Sequence, residues 1–255
     1  MEMKINKFQH YLEMAQPRSI DIKKVYYHGT PHVDFAKNII QNGINPPDVS
    51  LRAGNKFQPV SGKVYITPRL SYALIYALGG HMLGNECDFL IKQYGNFGYL
   101  FVISGKDIKD IEPDEDSIGE IASQIINNKL YDDEYNYLAV GGAKGLKWLK
   151  EMAYDVLSGI YPEDLGYESD EDAYGLDMYQ LLKEYHDYAD LVVSGKELLK
   201  HMTDEQKLQL IDCGAHVAHT GSIKPIECWE LDRRKSKELK PDGSNFFKIS
   251  KKIDL

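Results

Sequence analysis

KKVYYHGT, residues 23–30, decides how the chain reads. Val25, Tyr26 and Tyr27 are β-prone, and the run ends on a histidine, a glycine and a threonine, so a short strand stops where polar groups are presented. Downstream, FAKNIIQNGI sets Phe35, Ala36, Ile39 and Ile40 at helical spacing and stops at Gly43, a usual helix C-terminal residue. The alternation repeats. GKVYIT (62–67) is a strand ended by Pro68, and SYALIYALGG (71–80) is a helix with Ser71 as its expected cap and Gly79-Gly80 as its stop. YLFVIS (99–104) is the continuous apolar run of a buried central strand. HVAHT (216–220) and PIECWEL (225–231) read as two further strands joined through Gly221 and Ser222. Strands and helices in this order predict an α+β domain, interrupted once.

The interruption shows in composition. Residues 107–190 hold 22 Asp and Glu against 6 Lys and Arg, so the remainder of a chain of net charge −9 is basic. Ten tyrosines fall in 112–190, with helical patches at 117–130, 144–158 and 176–193. Aromatic density that high supports packing, so 112–200 is expected to be an acidic, tyrosine-rich helical insertion rather than a linker. Ser194-Gly-Lys-Glu197 and Thr203-Asp-Glu-Gln206 match the capping box and predict two short helices ending at Gly214. The expected organisation is therefore an N-terminal accessory helix (1–20, ended at Pro17), a core in two pieces (21–111 and 201–232) around the insertion, and a basic C-terminal tail (233–255). The tail, with Arg233, Arg234, Lys235, Lys237 and Lys240, is read as a solvated one, and the proline-rich 46–61 as a loop.

Several function classes drop out. No apolar run approaches the roughly 20 residues that span a bilayer, so no membrane partner is expected. The start, MEMKINKFQHYLEMAQ, lacks the apolar region of a secretory signal. Cys87, Cys213 and Cys228 are odd in number and lack metal-ligand spacing, which points to a reducing, cytoplasmic setting and no metal. The acidic middle repels phosphate backbones and disfavours extensive wrapping of duplex nucleic acid. P-loop, GxGxxG, HExxH and GxSxG patterns are missing. Pro113-Asp114-Glu115-Asp116 reads as a solvated loop, because three consecutive acids point in different directions; the alternative is a contribution to the active site, as a cation site or as the catalytic acid should neither His216 nor Asp212 serve.

Tyr27-His28-Gly29-Thr30 at a strand end, the Gly43-Ile44 that follows the next helix, Gly62-Lys-Val-Tyr65-Ile-Thr67, and Tyr76 eleven residues beyond Tyr65 form an ordered set. This set resembles the NAD-binding half of the ADP-ribosyltransferase fold shared by the poly-ADP-ribose polymerase and diphtheria-toxin lineage. The likeness extends through 22–45, 60–80, 98–108 and 212–232 and leaves 112–200 outside it. It implies a split antiparallel β-sheet core with NAD as co-substrate. Gly29 would offer its backbone N–H and C=O to the nicotinamide carboxamide, His28 a ring donor to the adenosine-side ribose, and Thr30 a supporting hydroxyl. Tyr65 and Tyr76 would sandwich the cationic ring, with Ser71 nearby.

In that family a glutamate opens the penultimate strand, and counting back from Gly221 its place falls on His216, with Asp212 four residues earlier. Glu227 and Glu230, on the last strand, are poorer candidates. Both His216 and Asp212 stay open as the catalytic group, alongside His28 and Tyr65. The resemblance implies a mono-ADP-ribosyltransferase acting on a macromolecular acceptor, protein or nucleic acid. A silent module binding NAD, ADP-ribose or a partner is the alternative. So is an RNA 2′-phosphotransferase of the same fold, for which Arg52 and Arg69 are the nearby arginines.

Overall fold

The computed structural model describes residues 25–47, 60–80, 88–126, 138–157 and 194–255. The expected helix over 1–20, most of the 46–61 loop with Arg52, Cys87, and the helical patch at 176–193 lie outside them.

The fold is α+β, with two antiparallel sheets. Strands β1 (Val25–Thr30), β3 (Phe97–Ser104), β6 (Glu227–Asp232) and β7 (Lys251–Ile253) make the first, in the order β1-β3-β6-β7. Strands β2 (Lys63–Ile66), β5 (Val217–Thr220) and β4 (Ile111–Pro113) make the second, in the order β2-β5-β4. The strands expected at 216–220 and 225–231 both form, but they lie in different sheets and do not pair with each other. β4 is an addition: its three residues continue into the acidic stretch and carry little β signal.

The two sheets share an apolar core and are joined by backbone hydrogen bonds at Tyr27 and Thr67. Tyr27 N–H donates to the Thr67 carbonyl at 2.7 Å and Thr67 N–H to the Tyr27 carbonyl at 3.0 Å. Beyond that bridge, among the described residues, no backbone hydrogen bond joins His28-Gly29-Thr30 to β2, and this unpaired stretch is the candidate cleft. Strand alternation decides what lines it. Gly29 faces the same way as Tyr27, so its N–H and C=O turn toward β2, while His28 and Thr30 bond to β3.

Helix α1 (Val33–Asn42) follows β1 and ends on Gly43. Helix α2 (Leu70–Leu78) lies across the first sheet and presses Leu74 and Leu78 against Leu100, Leu231 and Phe246. Two glycines let it approach: a Cβ at Gly29 would stand 2.0 Å from the Ala73 carbonyl oxygen, and one at Gly98 2.1 Å from that of Ala77. Ser71 is not the cap of α2. The helix starts a residue earlier, with Arg69 in the capping position and its N–H donating to Thr67 Oγ1 at 3.0 Å. Pro68 forces the preceding backbone to stay extended, and Thr67 takes over the capping work.

Helix α3 (Asp88–Tyr94) leads into β3. Helices α4 (Glu115–Ile126), α5 (Gly142–Leu157) and α6 (Gly195–His201) share an apolar cluster with Leu210 of α7 (Asp204–Cys213). Both capping boxes begin their helices. Ser194 caps α6, and Thr203 and Gln206 cap α7 reciprocally. The insertion begins after β4 rather than at 112, because Glu112 and Pro113 pair with β5.

The C-terminal residues are folded rather than a solvated tail. A 3₁₀ turn (Arg233–Glu238), helix α8 (Phe246–Ile249) and β7 close the first sheet, with Phe246 and Phe247 packed edge-to-face against Trp229. Arg233 is 1% exposed and donates to the carbonyls of Pro31, Ala77, Leu78, Tyr94, Gly95 and Phe97. Such a hub needs the planar five-donor fork of arginine. Among the described residues, no helix is long and apolar enough to cross a membrane.

Candidate active site

The open end of the cleft gathers side chains from β1, β2, α2, β5 and the residues after β4. His28 reaches across it, its Nδ1 3.1 Å from the Tyr65 carbonyl oxygen, so a histidine ring spans the gap where the strands no longer bond. Tyr65 stands opposite Ala218 on β5. With only a methyl beside it, the Tyr65 side chain extends over β5, and its hydroxyl donates to Glu115 Oε1 while accepting from Val60 N–H at 2.8 Å. Burial first, and the Glu115 bond second, push the Tyr65 phenol well above its usual range.

His216 immediately precedes β5, level with Thr67 across β2. It is buried at 4% exposure, with the Tyr72 ring 3.9 Å from its own centroid. Burial, and secondarily the Arg69 guanidinium, lower its pKa to about 3, so the imidazole is neutral in ordinary buffers. Arg69 is itself tied down, donating to the Cys213 carbonyl at 3.1 Å and the Gly214 carbonyl at 3.4 Å. Tyr72 and Tyr76, one helical turn apart on α2, have hydroxyls 3.4 Å apart. Tyr76 is 52% exposed and forms the outer edge of the site.

The acidic run Asp114–Asp116 is not a solvated loop. Asp114 N–H donates to the His216 carbonyl at 2.9 Å, which extends the β4–β5 ladder by one residue. The Asp114 carboxylate then caps α4, accepting from Asp116 N–H at 3.1 Å and Ser117 Oγ at 2.9 Å. Burial and the flanking acids raise the Asp114 pKa to about 7, and that of Asp116 to about 6. Glu115 is 1% exposed. Gly195 makes this burial possible, because any Cβ there would lie 1.6 Å from the Glu115 carbonyl oxygen. Glu115 Oε2 and His216 Nε2 are buried side-chain atoms without a hydrogen-bond partner among the described residues. Natural folds rarely leave such atoms bare.

Of the residues singled out from sequence, the structure thus brings together His28, Gly29, Tyr65, His216 and, at the rim, Tyr76. Thr30 is buried at the end of β1. Ser71 lies beside the C-terminal segment, its Cα close to Gly243. Asp212 is exposed on α7, where it adds to the upward shift that burial gives the Tyr26 phenol, and no hydrogen bond among the described residues joins it to the cleft. Glu227 and Glu230 lie on β6, Glu227 paired with Lys252.

From sequence, Asp114 and Glu115 rank behind His216 and Asp212 as the acid, and Tyr72 is not singled out at all. The signal was present: an Asp with a Ser three residues on, directly before Ile118, Ile121, Ala122 and Ile125 at helical spacing, marks a helix start. Among the described residues, no group of three His, Cys, Asp or Glu side chains is arranged to hold a metal ion. Comparison with protein-family models, with curated proteins and with solved structures finds no match to this chain.

Proposed function

We propose that the chain is an NAD-dependent mono-ADP-ribosyltransferase, cleaving the nicotinamide–ribose bond and passing ADP-ribose to a macromolecular acceptor. The observation that carries the reading is the cleft between β1 and β2, where Gly29 turns its N–H and C=O away from β3 toward Tyr65. A primary carboxamide needs one acceptor and one donor side by side, which one extended residue supplies. The order of elements, a split antiparallel sheet with Tyr65 and His28 at the split, supports the resemblance to the ADP-ribosyltransferase fold. The half-buried Tyr65 and exposed Tyr76 give a flat cation two aromatic neighbours. We infer a cytoplasmic setting, where thiols such as Cys213 and Cys228, neither in a disulfide among the described residues, stay reduced.

The RNA 2′-phosphotransferase reading has less support, because the Arg69 guanidinium is engaged with the carbonyls that end α7. Incubation with NAD labelled in the nicotinamide, followed by mass spectrometry of a cell extract, tests the proposal. Released nicotinamide together with a mass gain of one ADP-ribose on protein or nucleic acid supports it. Tight NAD binding without release favours the silent module, and no NAD binding removes both.

A further inference from the structure

We infer that Glu115 is the catalytic carboxylate of this cleft, delivered from the end of β4 rather than from β5. The inference rests on the transferase reading and names a residue outside every segment that carried the resemblance.

Three observations converge on it. The β4–β5 ladder ends with Asp114 bonded to His216, so Glu115 is the next residue and enters the site beside the position where the family's acid is expected. Tyr65 fixes one carboxylate oxygen, leaving Oε2 buried and without a hydrogen-bond partner among the described residues, as is His216 Nε2. Gly195, at the start of α6, packs against the Glu115 backbone and holds the residue in place. The other candidates lack these features. His216 supplies no negative charge, and Asp212 is exposed beside Tyr26.

The chemistry balances with NAD and one nucleophile. Glu115 Oε2 accepts a hydrogen bond from a hydroxyl of the nicotinamide-side ribose, and its charge opposes the positive charge that develops at C1′. The C1′–nitrogen bond breaks with its electron pair leaving on nicotinamide. An O–H or N–H nucleophile bonds to C1′, and its proton passes to Glu115 and then to solvent. With water as nucleophile, the products are nicotinamide, ADP-ribose and one proton.

The test compares the full-length wild type, Glu115→Gln and Asp212→Asn for NAD affinity by calorimetry and for nicotinamide release. Glu115→Gln keeps the side-chain shape and the Tyr65 contact but loses the charge. Its kcat should fall about 10²–10⁴-fold with NAD affinity within about threefold of wild type. Wild-type turnover with Glu115→Gln undiminished overturns the inference, as does loss of turnover in Asp212→Asn instead. Should Glu115→Gln fail to melt cooperatively, Tyr65→Phe frees Oε1 and should lower kcat about tenfold. Undiminished turnover in Tyr65→Phe then overturns the inference. A wild-type protein that neither binds NAD nor releases nicotinamide removes the transferase reading itself, and the inference with it.

Discussion

Gly29 offers a test of how the cleft is built. If its missing side chain faced the ligand, a larger residue would block binding and spare the fold. The structure reverses this. A Cβ at position 29 would lie 2.0 Å from the Ala73 carbonyl oxygen and 2.7 Å from the Ala77 nitrogen, both backbone atoms of α2. No rotamer change can relieve that contact, so α2 would have to withdraw by about 1 Å or more. Withdrawal loosens Leu74 and Leu78, both 0% exposed, from Leu100 and Leu231. Overpacking typically costs 1–3 kcal/mol, and the backbone clash puts Gly29→Ala near about 3 kcal/mol. For a chain of this size that is a melting-temperature drop of about 6–12 °C. Gly62→Ala is the control: its φ is +82° but nothing lies within 4 Å of its Cβ position, so it should cost only about 1 kcal/mol of backbone strain. Thermal melting followed by circular dichroism reads both. Gly29→Ala melting within 2 °C of wild type (roughly the effect of half a kcal/mol) would refute the packing argument.

Other outcomes follow from the same geometry. His216 binds its proton far more weakly folded than unfolded, so it contributes stability above about pH 6.5 that is lost toward pH 3, at about 1.4 kcal/mol per pH unit; replacing it with Gln should flatten acid unfolding in that window. Asp114 has the opposite sign. Its pKa is raised to about 7, so stability is lost as pH rises from about 4 to about 7, and Asp114→Asn should gain on the order of 4 kcal/mol over wild type at pH 8 relative to pH 4 in urea titrations. Tyr76→Ala, at a half-exposed position, should lower stability by less than about 1 kcal/mol while weakening NAD affinity about fivefold; a large melting loss with normal affinity would count against the site. Arg233→Lys strands several buried carbonyls and should cost about 3 kcal/mol by urea titration, whereas a loss under about 1 kcal/mol would contradict its role as a hub.

Strands β1, β2, β3, β5 and β6 were legible because Val, Ile, Tyr and Phe runs end on Gly or Pro, a signal carried by neighbouring residues. α7 was legible to the residue, since Thr203, Gln206 and Gly214 are its local stops. What could not be read depends on partners distant in sequence. Ile111-Glu112-Pro113 is a strand only because β5 offers its free edge, and Glu112 is tolerated there because Lys63 and Lys207 neutralise it. The C-terminal lysines look solvated in composition, yet Phe246 and Phe247 among them pack on Trp229, 17 and 18 positions away. The site follows the same rule. His28, Gly29 and Tyr65 sit in short motifs. Glu115 sits in an acid-rich run whose burial is decided by Gly195, eighty residues later.

Crystals of Glu115→Gln grown with NAD test the central claim most directly, because that variant should hold the dinucleotide uncleaved. The account predicts the nicotinamide carboxamide on the N–H and C=O of Gly29, its ring beside Tyr65, and a ribose hydroxyl against the side chain at position 115. A dinucleotide bound elsewhere with the β1–β2 cleft empty, or no binding at millimolar NAD, would contradict it.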